Sequence, residues 1–525
     1  MVHVLAPGPY QDIAQLVLSA WLRSGGQGSA ALGSLGEVVD PAHALHVVIH
    51  PREEWTEALL ALTRRPAKLL VLGRLSHGLA TALGVQLPAE WPADWAGHTL
   101  CPPATAGGYA ESVARVVYPA NAPRIAGQAP AMAVRPFRRH DFADEWNNLG
   151  YGAITADGTP WSIAQNAQLP TAHELATARL GDQPLCGYAG LWDLPGASVL
   201  WFNRAAGPID SQEWRLVEDF FSCHRAEALP CAPVLAEVPH GFDSAVTMRL
   251  DCDEDVESAR ALWDLHRAED VPFSLALHAR VLADARHHAL PREVLAGGGA
   301  LLSHTATHAP DWGGSYDAAF HEGRQSADVI EAHTGYRVRH AVSPFHQTPL
   351  YARLGLADAG YTGCIGGIIR NDPDFLTARA GIPPGSGQGF IGHSQQCMLH
   401  GDCLLSDGEP LRVFHEAFRL ARVGGAFFGY LDHPFSERYA YGWRSEAERV
   451  EAHRRFIGHI RETGGRVLWA NASDALDFLS DRAHTTVHAL AQGHCITRPS
   501  ATHRWPLAVR YRGQVVSVTT QETLA

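Results

Sequence analysis

The sequence predicts an α/β fold, because short apolar runs alternate with amphipathic segments along most of its 525 residues. In the first stretch we predict a strand, a helix, a strand, a helix and a strand at residues 2–5, 12–23, 45–50, 53–63 and 69–72. Such alternation is typical of a parallel, doubly wound sheet. The chain is also longer than one hydrophobic core normally extends, so we expect roughly two to four domains.

Two changes in composition divide the chain. A predicted strand at 198–202 and a helix at 210–225 continue the α/β pattern, and the Pro-rich segment 230–239 then indicates a boundary. Near the C-terminus, strand-forming runs with a turn at Arg512-Gly513 predict a small hairpin or capping sheet. We therefore predict an N-terminal doubly wound α/β region over 1–232, a second α/β region over 233–482 and a small C-terminal β segment over 483–525.

The N-terminal region is expected to be non-catalytic. Its pattern resembles a flavodoxin-like or a glutamine amidotransferase-like domain, but it contains no Gly-rich phosphate loop and no Gly-x-Cys-x-Gly elbow. Cys186 is the nearest candidate for such an elbow, and Pro184 stands where its first glycine would be. A scaffold or a substrate-binding module is the expected role.

Composition argues against several classes of partner. The net charge is −13 and the arginines are scattered, whereas phosphate binding needs clustered Lys and Arg, so we expect no nucleic-acid partner. The nine cysteines are an odd number, which fits reduced thiols in a cytosol better than a disulfide framework. The first residues lack the basic region of a signal peptide, and no apolar run is long enough to span a bilayer. These features predict a cytoplasmic protein.

A pair of carboxylates ends a strand-like run in the second α/β region. The apolar, β-prone residues 245–250 lead into Asp251 and Asp253. Side chains two residues apart on a strand share a face, so both carboxylates can point into one pocket. Two carboxylates at such a short distance repel each other unless a cation or a proton lies between them. A metal bound to one carboxylate would leave the other as a general base.

A pair of histidines follows the next Gly-rich strand. Residues 297–302 form the strand-like run, and His304 and His308 come after it at a spacing that one helical turn would bring together. Because the chain has 30 histidines, two ordinary surface or core histidines are the alternative. Together with the preceding carboxylates, however, one Asp and two His can hold a divalent metal and leave positions open for water and substrate.

A further histidine lies at the end of a later strand-like run, residues 426–428. Asp432 and His433 follow that run, and a histidine placed there could protonate a leaving group as a general acid. Asp432 could orient the ring or set its tautomer. A packed histidine beside Pro434 is the alternative.

Residues from about 240 to 480 resemble the polysaccharide deacetylase family, also called the NodB homology domain or carbohydrate esterase family four. The resemblance depends on the order of its motifs, which are Arg249-Leu250-Asp251-Cys252-Asp253, a Gly-rich strand entering His304 and His308, Ser343-Pro344-Phe345, the segment 356–361, the strand before His433, and Gly464-Gly465-Arg466-Val467-Leu468. The family's fold is a distorted (β/α) barrel with its site at the carboxyl ends of the strands, so the resemblance implies a NodB-type barrel over 233–482.

The resemblance also implies a role for each motif residue. Asp251 resembles the catalytic base and His433 the catalytic acid. Asp253, His304 and His308 resemble the ligands of a divalent metal, with zinc as the first candidate.

Substrate-binding residues are expected beside two of these motifs. Pro344 and Phe345 match the family's Pro-aromatic pair, and His346 follows directly. Tyr439 and Trp443 come soon after the acid histidine and could form an aromatic platform for a sugar ring, with core packing as the alternative.

Two departures from the family's pattern affect these roles. The carboxylates are one residue further apart than usual, an Asp-x-Asp variant that leaves open which is the base and which the ligand. The arginine that normally precedes the Pro-aromatic pair is replaced by Val342, and Arg249 or Arg339 is a candidate to supply its charge.

The activity implied by the resemblance is metal-dependent removal of the N-acetyl group from an amino sugar or an (exo)polysaccharide or glycan precursor. An N-acetylated saccharide is then the expected partner. A C–N hydrolase acting on a non-sugar amide and a catalytically inactive carbohydrate-binding scaffold are the alternatives.

One other cluster is compatible with metal binding. A second, structural zinc could be held by His393, Cys397, His400 and Cys403. Two reduced cysteines and two loop histidines are the simpler interpretation of this spacing.

Overall fold

Strands and helices alternate along most of the chain in the computed structural model, which describes residues 1–91, 115–126, 135–136, 162–209, 211–366, 379–387, 389–394, 397–436, 440–499 and 504–525. Two large sheets follow each other along the sequence, and two small sheets are formed with the C-terminal strands.

The first sheet combines a parallel half with an antiparallel extension. Its strands are β1 (Val2–Leu5), β2 (Ala30–Leu32), β3 (Leu45–Ile49), β4 (Ala67–Leu72), β5 (Arg115–Val117), β6 (Arg135–Pro136), β7 (Glu174–Leu180), β8 (Gln183–Asp193) and β9 (Ala197–Phe202). The order is β2-β1-β3-β4-β9-β8-β7-β5-β6. Strands β1 to β4 and β9 pair in parallel, as predicted, whereas β5 to β8 add antiparallel pairs. The extension was not predicted, because Gly187 and Gly190 weaken the strand signal of β8.

Helices cover both faces of this sheet, which makes it doubly wound. They are α1 (Gln11–Gly25), α2 (Leu35–Val39), α3 (Thr56–Leu62), α4 (His77–Leu83) and α5 (Trp214–Ser222). Successive residues of a strand point to opposite faces. Accordingly, Val47 packs in one core with Trp21 of α1 and Phe221 of α5, while Val48 packs in the other core with Leu59 of α3.

The second sheet is parallel throughout its described pairs. After β10 (Val234–Leu235), its strands are β11 (Ser244–Cys252), β12 (Ser274–Leu277), β13 (Ala300–Ser303), β14 (His340–Val342), β15 (Gly363–Gly366), β16 (Ile391–Ser394), β17 (Cys397–Met398), β18 (Phe427–Asp432) and β19 (Val467–Ala470). The order is β16-β15-β14-β13-β12-β11-β18-β17, with β19 paired to β11. Every residue of β11 is buried, as expected for a parallel strand covered by helices.

This sheet curls into a barrel. Its two edge strands, β16 and β17, are consecutive in the chain, and Cys397 comes only three positions after Ser394. Three residues reach at most about 10 Å, whereas the edges of a flat sheet of this width would lie roughly 30 Å apart. The fold is therefore the α/β barrel that the motif order predicted.

The barrel helices lie on the outside of the sheet. They are α6 (Arg260–Ala268), α7 (Ala289–Ala296), α8 (Tyr316–Thr334), α9 (Leu350–Asp358), α10 (Arg412–Gly424), α11 (Glu446–Thr463) and α12 (Ala472–His484). Leu262 of α6, Phe418 of α10 and Phe456 of α11 pack with Val246 and Met248 of β11 in one continuous core. No helix in the described part of the chain is long and apolar enough to cross a membrane.

The C-terminal strands form two three-stranded sheets. The strands are β20 (Thr486–Ala489), β21 (His494–Thr497), β22 (Leu507–Tyr511), β23 (Gln514–Val518) and β24 (Gln521–Leu524). One sheet has the order β20-β21-β24 and the other β10-β22-β23. The hairpin β22–β23 turns at Arg512 and Gly513, both at positive φ, where the sequence predicted a turn. Because β10 lies in the Pro-rich segment, the chain's end pairs with the start of the barrel region.

Candidate active site

The carboxyl ends of the barrel strands bring together polar residues that are far apart in sequence. Asp253 directly follows β11, His304 follows β13, and Pro344 comes soon after β14. His400 comes soon after β17, and His433 directly follows β18. Since parallel strands end at the same edge of a sheet, all five residues lie around one opening of the barrel, where barrel chemistry generally occurs.

Asp253, His304 and His308 place three ligand atoms close together. Asp253 Oδ1 lies 3.3 Å from His304 Nε2 and 3.5 Å from His308 Nε2, and the two nitrogens are 3.1 Å apart. Ligand atoms about 2.1 Å from one cation lie roughly 3.0–3.4 Å from each other. Asp253 Oδ1 is also buried without a hydrogen bond from any described residue. The spacing and the unsatisfied oxygen both fit a single divalent ion.

The two histidines meet through a loop and not through a helical turn, so the prediction made from their spacing was wrong. Residues 304–309 contain no helix, and Thr305 and His308 have positive φ values of 66° and 56°. Thr305 Oγ1 accepts the His308 N–H at 2.7 Å. Glu322 of α8 accepts two further backbone N–H groups of this loop. Backbone turns at positive φ, and not a helical turn, therefore bring the two rings together.

Two further contacts orient the ligand atoms. His304 Nδ1–H donates to the Val342 carbonyl at 3.1 Å, so its Nε2 faces the site. His278 Nδ1–H donates to the Asp253 carbonyl at 2.8 Å and holds that loop in place. His278 was not predicted as a site residue, although its position directly after β12 was a usable signal.

The second carboxylate, Asp251, pairs with Arg249. Arg249 Nε lies 2.7 Å from Asp251 Oδ1 and Nη2 lies 3.2 Å from Oδ2, and both side chains are only 2% exposed. The other candidate, Arg339, precedes β14 at the opposite edge of the sheet and pairs with Asp477 at the surface. Arg249 therefore supplies the positive charge that Val342 cannot.

The charge of Arg249 determines the protonation state of Asp251. Burial alone would raise the pKa of Asp251, but the charge and hydrogen bonds of Arg249 outweigh burial and hold the pKa well below its usual value. The carboxylate is ionised at neutral pH. It is also absent from the converging ligand set, which favours Asp253 as the ligand and Asp251 as the base.

The ring of His433 is contacted by His400 and not by Asp432, which corrects the role suggested for Asp432. His400 Nε2 lies 2.9 Å from His433 Nδ1. Asp432 instead accepts the His433 backbone N–H at 2.8 Å and the His453 Nε2–H at 2.9 Å. The Nε2 of His433 points toward Asp253, 3.8 Å from its Oδ2. Burial, and after it the charge of His400, lowers the pKa of His433 to about 4.

Among the described aromatic residues that follow His433, Tyr441 lies at the site. Its ring stacks on His433 with centroids 4.1 Å apart at 17°, and its hydroxyl donates to Asp253 Oδ2 at 3.3 Å. Trp443 is 4% exposed and packs in the barrel core, so core packing is the correct interpretation for it and a sugar platform is not. Tyr439 lies outside the described residues.

The turn Pro344–His346 forms another wall of the opening. Phe345 and His346 have φ values of 52° and 61°, a costly conformation for two non-glycine residues. The turn leaves Phe345 53% exposed, with its ring centroid 5.1 Å from that of His308. Burial, and after it the charge of Arg249, lowers the pKa of His346 to about 3, so this ring is neutral.

Within the part of the chain that the structure describes, no common ligand set forms from His393, Cys397, His400 and Cys403. His393 Nε2–H donates to the Phe427 carbonyl at 2.9 Å, and His400 faces His433. Another group, His400, Asp432 and His433, does have ligand atoms within 4.8 Å of one another. Hydrogen bonds among these groups and to His453 already satisfy them, so they do not need an ion.

Comparison with known proteins finds no matching family model and no matching curated protein. Solved structures similar to the chain include a Mycobacterium smegmatis protein assigned to the polysaccharide deacetylases, with 16% identity, 49% of this chain and 96% of that chain covered, and a TM-score of 0.37. Puue allantoinase is 14% identical, and the match covers 46% of this chain and 92% of that chain with a TM-score of 0.36. A Pseudomonas aeruginosa protein, also assigned to the polysaccharide deacetylases, is 14% identical. The match covers 45% of this chain and 91% of that chain, with a TM-score of 0.35. Each similarity covers less than half of this chain.

Proposed function

We propose that this protein is a metal-dependent hydrolase that removes the N-acetyl group from an amino sugar or a glycan precursor. The observation that carries the proposal is the convergence of Asp253, His304 and His308 beside Asp251 and His433 at one edge of the barrel. Three ligand atoms, an ionised carboxylate and a histidine are the groups that metal-assisted hydrolysis of an amide requires. The saccharide part of the proposal is supported by the motif resemblance in the sequence.

Asp253, His304 and His308 would hold the metal. One carboxylate oxygen and two imidazole nitrogens suit zinc and similar divalent ions, and they leave positions for water and substrate. When bound, the ion supplies Lewis-acid polarisation of the carbonyl and lowers the pKa of water in the site.

The chain's own residues provide the proton transfers. Asp251, held ionised by Arg249, accepts a proton from the attacking water. A backbone N–H of the turn Pro344–His346 donates to the oxyanion of the tetrahedral intermediate. In its protonated, imidazolium form, His433 gives the proton on Nε2 to the nitrogen of the amide as the C–N bond breaks. Acetate and a free amine are the products.

The shape and charge of the opening favour a small acyl group on an uncharged or cationic substrate. A cavity of about 10 Å³, the size of one water molecule, adjoins Asp251 and His433. Glu254 and Asp255 line the same cavity, so a phosphate or carboxylate next to the scissile bond would be repelled. The exposed ring of Phe345 offers a face on which a sugar ring can stack.

We also propose that residues 233–482 form the catalytic domain and that 1–232 and 483–525 support it. Every group assigned a role above lies between Arg249 and Tyr441. The supporting regions meet the barrel through a buried ion cluster, in which Glu218 of α5 accepts hydrogen bonds from Arg379 and from Arg510 of β22. Both carboxylate oxygens of Glu218 are paired within this cluster.

The test is metal content together with acetate release. The purified protein should contain about one divalent metal per chain, and Asp253→Ala and His304→Ala should lose both the metal and turnover of N-acetylated sugar oligomers. Asp264→Ala, which removes an exposed carboxylate of α6, is the matched control and should keep both. A protein that binds no zinc or cobalt on reconstitution contradicts the proposal. Turnover of other amides alone would favour the non-sugar C–N hydrolase.

A further inference from the structure

We propose that Thr348 is a positioning residue that holds the turn Pro344–His346, and with it the oxyanion donor, against the loop that carries His308. The inference rests on the proposed function, in which a backbone N–H of this turn stabilises the tetrahedral intermediate. Its starting point is a chain of buried hydrogen bonds. Trp312 Nε1–H donates to Thr348 Oγ1 at 3.2 Å, and the hydroxyls of Thr348 and Ser343 bond to each other.

The backbone of the turn leaves one N–H group for the oxyanion. Pro344 has no N–H, and the His346 N–H donates to the Ser343 carbonyl at 3.1 Å. The Phe345 N–H has no acceptor among the residues that the structure describes. Its direction depends on the φ values of 52° and 61° at Phe345 and His346, and non-glycine residues keep such values only where their surroundings enforce them.

The bond between Ser343 and Thr348 provides this constraint. The two residues flank the turn, and their hydroxyls meet across its base. Ser343 is 1% exposed and Thr348 is 0% exposed, so water cannot easily take the place of either hydroxyl. Without the bond, the backbone between them would relax toward ordinary negative φ values, and the Phe345 N–H would change direction.

Trp312 joins the turn to the loop that carries a metal ligand. It comes four positions after His308, and its buried indole packs in the barrel core. The backbone beside it is fixed as well, since the Tyr351 hydroxyl donates to the Asp311 carbonyl at 2.9 Å. Thr348 therefore bonds to both parts of the site, the turn with the oxyanion donor and the loop after His308.

The separation between turn and loop determines how well the oxyanion is stabilised. The oxyanion of an acetyl substrate forms beside the three ligand residues, so its distance from the Phe345 N–H follows that separation. A displacement of about 1 Å lowers the rate of such a step by up to about 100-fold. The bound substrate carries no oxyanion before the attack, so binding is affected much less than turnover.

Thr348→Val tests this role, because valine keeps the shape of threonine and removes the hydroxyl. We expect kcat to fall about 10- to 100-fold on N-acetylated sugar oligomers. The same factor is expected on para-nitrophenyl acetate, since an ester also passes through an oxyanion. KM should change less than about threefold, and metal content should stay the same.

Two variants serve as rescue and control. Thr348→Ser keeps the hydroxyl, loses only a methyl group and should recover most of kcat. Thr334→Val is the matched control at the end of α8, where the lost hydroxyl donates to the Ile330 carbonyl at 2.7 Å and accepts the Tyr336 N–H at 3.2 Å. Its kcat and KM should equal those of the unaltered protein.

Trp312→Phe tests the other end of the hydrogen-bond chain, because it removes the indole N–H and keeps an aromatic ring in the core. Trp312 and Thr348 act through one bond, so the variant with both substitutions should be within about twofold of the slower single variant. Proton–nitrogen NMR of the indole groups, assigned with Trp312→Phe, gives a measurement that does not depend on activity. The Trp312 N–H should exchange slowly with solvent in the unaltered protein and faster in Thr348→Val.

Several results would overturn the inference. These are a kcat of Thr348→Val within twofold of the unaltered protein, a raised KM at unchanged kcat, no recovery in Thr348→Ser, or losses that simply multiply in the double variant. An indole exchange rate that is the same with and without the Thr348 hydroxyl would show that the bond to Trp312 does not form. A protein that binds no metal or hydrolyses neither substrate contradicts the proposed function, and the positioning role falls with it, whereas the indole measurement still decides whether the bond exists.

Discussion

The two large sheets are built alike, but the ion cluster beside the first sheet and the candidate site at the edge of the barrel differ in how their buried carboxylates are paired. Beside the first sheet, the carboxylate of Glu218, which is 1% exposed, pairs with both Arg379 and Arg510. At the carboxyl edge of the barrel, Asp253 Oδ1 and His346 Nδ1 are buried without hydrogen bonds from the described residues. An unpaired buried polar atom costs free energy, and a cation bound at the barrel edge would offset that cost for Asp253.

A similar difference separates the potential reactive groups of the two regions. Cys186, the one candidate nucleophile noted in the N-terminal region, is buried on β8, and burial raises the pKa of its thiol far above neutral pH. Asp251 is equally buried, yet Arg249 keeps it charged. Burial with a fixed counter-charge leaves an ionised carboxylate, and burial without one leaves a protonated thiol.

The largest expected effect comes from separating Asp251 from its counter-charge. Arg249→Met leaves a buried carboxylate uncompensated, so we expect the free energy of unfolding to fall by about 3–5 kcal/mol and turnover to be lost. Arg339→Met breaks only an exposed pair with Asp477 and should cost less than about 1 kcal/mol. Urea unfolding with both variants measures the difference. Equal costs for the two variants would mean that Arg249 does not have the role assigned to it.

An intermediate effect, on stability alone, is expected for the ion cluster of the supporting regions. Burial would raise the pKa of Glu218, but Arg379 and then Arg510 hold it below its usual value of 4.5. Ionised Glu218 therefore stabilises the fold fully above about pH 4.5, and its contribution is lost as the pH falls through the lowered pKa. Glu218→Gln should cost about 3 kcal/mol at neutral pH.

Unfolding curves at several pH values check this prediction, and metal content should stay unchanged. The difference between Glu218→Gln and the unaltered protein should shrink on acidification. Glu54→Gln, which removes an exposed carboxylate paired with Arg52, is the control and should show almost no difference. A difference that grows toward low pH would contradict the assignment.

The smallest effect is expected for Cys186. Because its thiol is buried and un-ionised, Cys186→Ala should leave kcat, KM and metal content unchanged and cost about 1 kcal/mol of stability for the lost packing. Turnover and thermal unfolding measure both quantities. Lost turnover in a folded variant would show that the N-terminal region takes part in the chemistry.

Much of the fold could be predicted, since strand and helix patterns are local. Strand β1 has the bounds expected from the sequence, and the turn at Arg512-Gly513 lies where it was predicted. The antiparallel extension through β8 could not be predicted, because its pairing depends on partners distant in the chain. Trp443 was undecided for a similar reason, since an aromatic residue looks the same in sequence whether it faces a substrate or a core.

The sequence by itself determined which residues carry the chemistry of the candidate site. The order of the motifs placed Asp251, Asp253, His304, His308 and His433 at or just beyond the carboxyl ends of three strands, and parallel strands end at one edge. Only the tertiary structure decided how these residues are paired. In the structure Arg249, and not Arg339, pairs with Asp251. A loop, and not a helical turn, joins His304 to His308, and His400 contacts His433. Such pairings depend on contacts between loops, and the geometry of those contacts is settled only when the barrel closes.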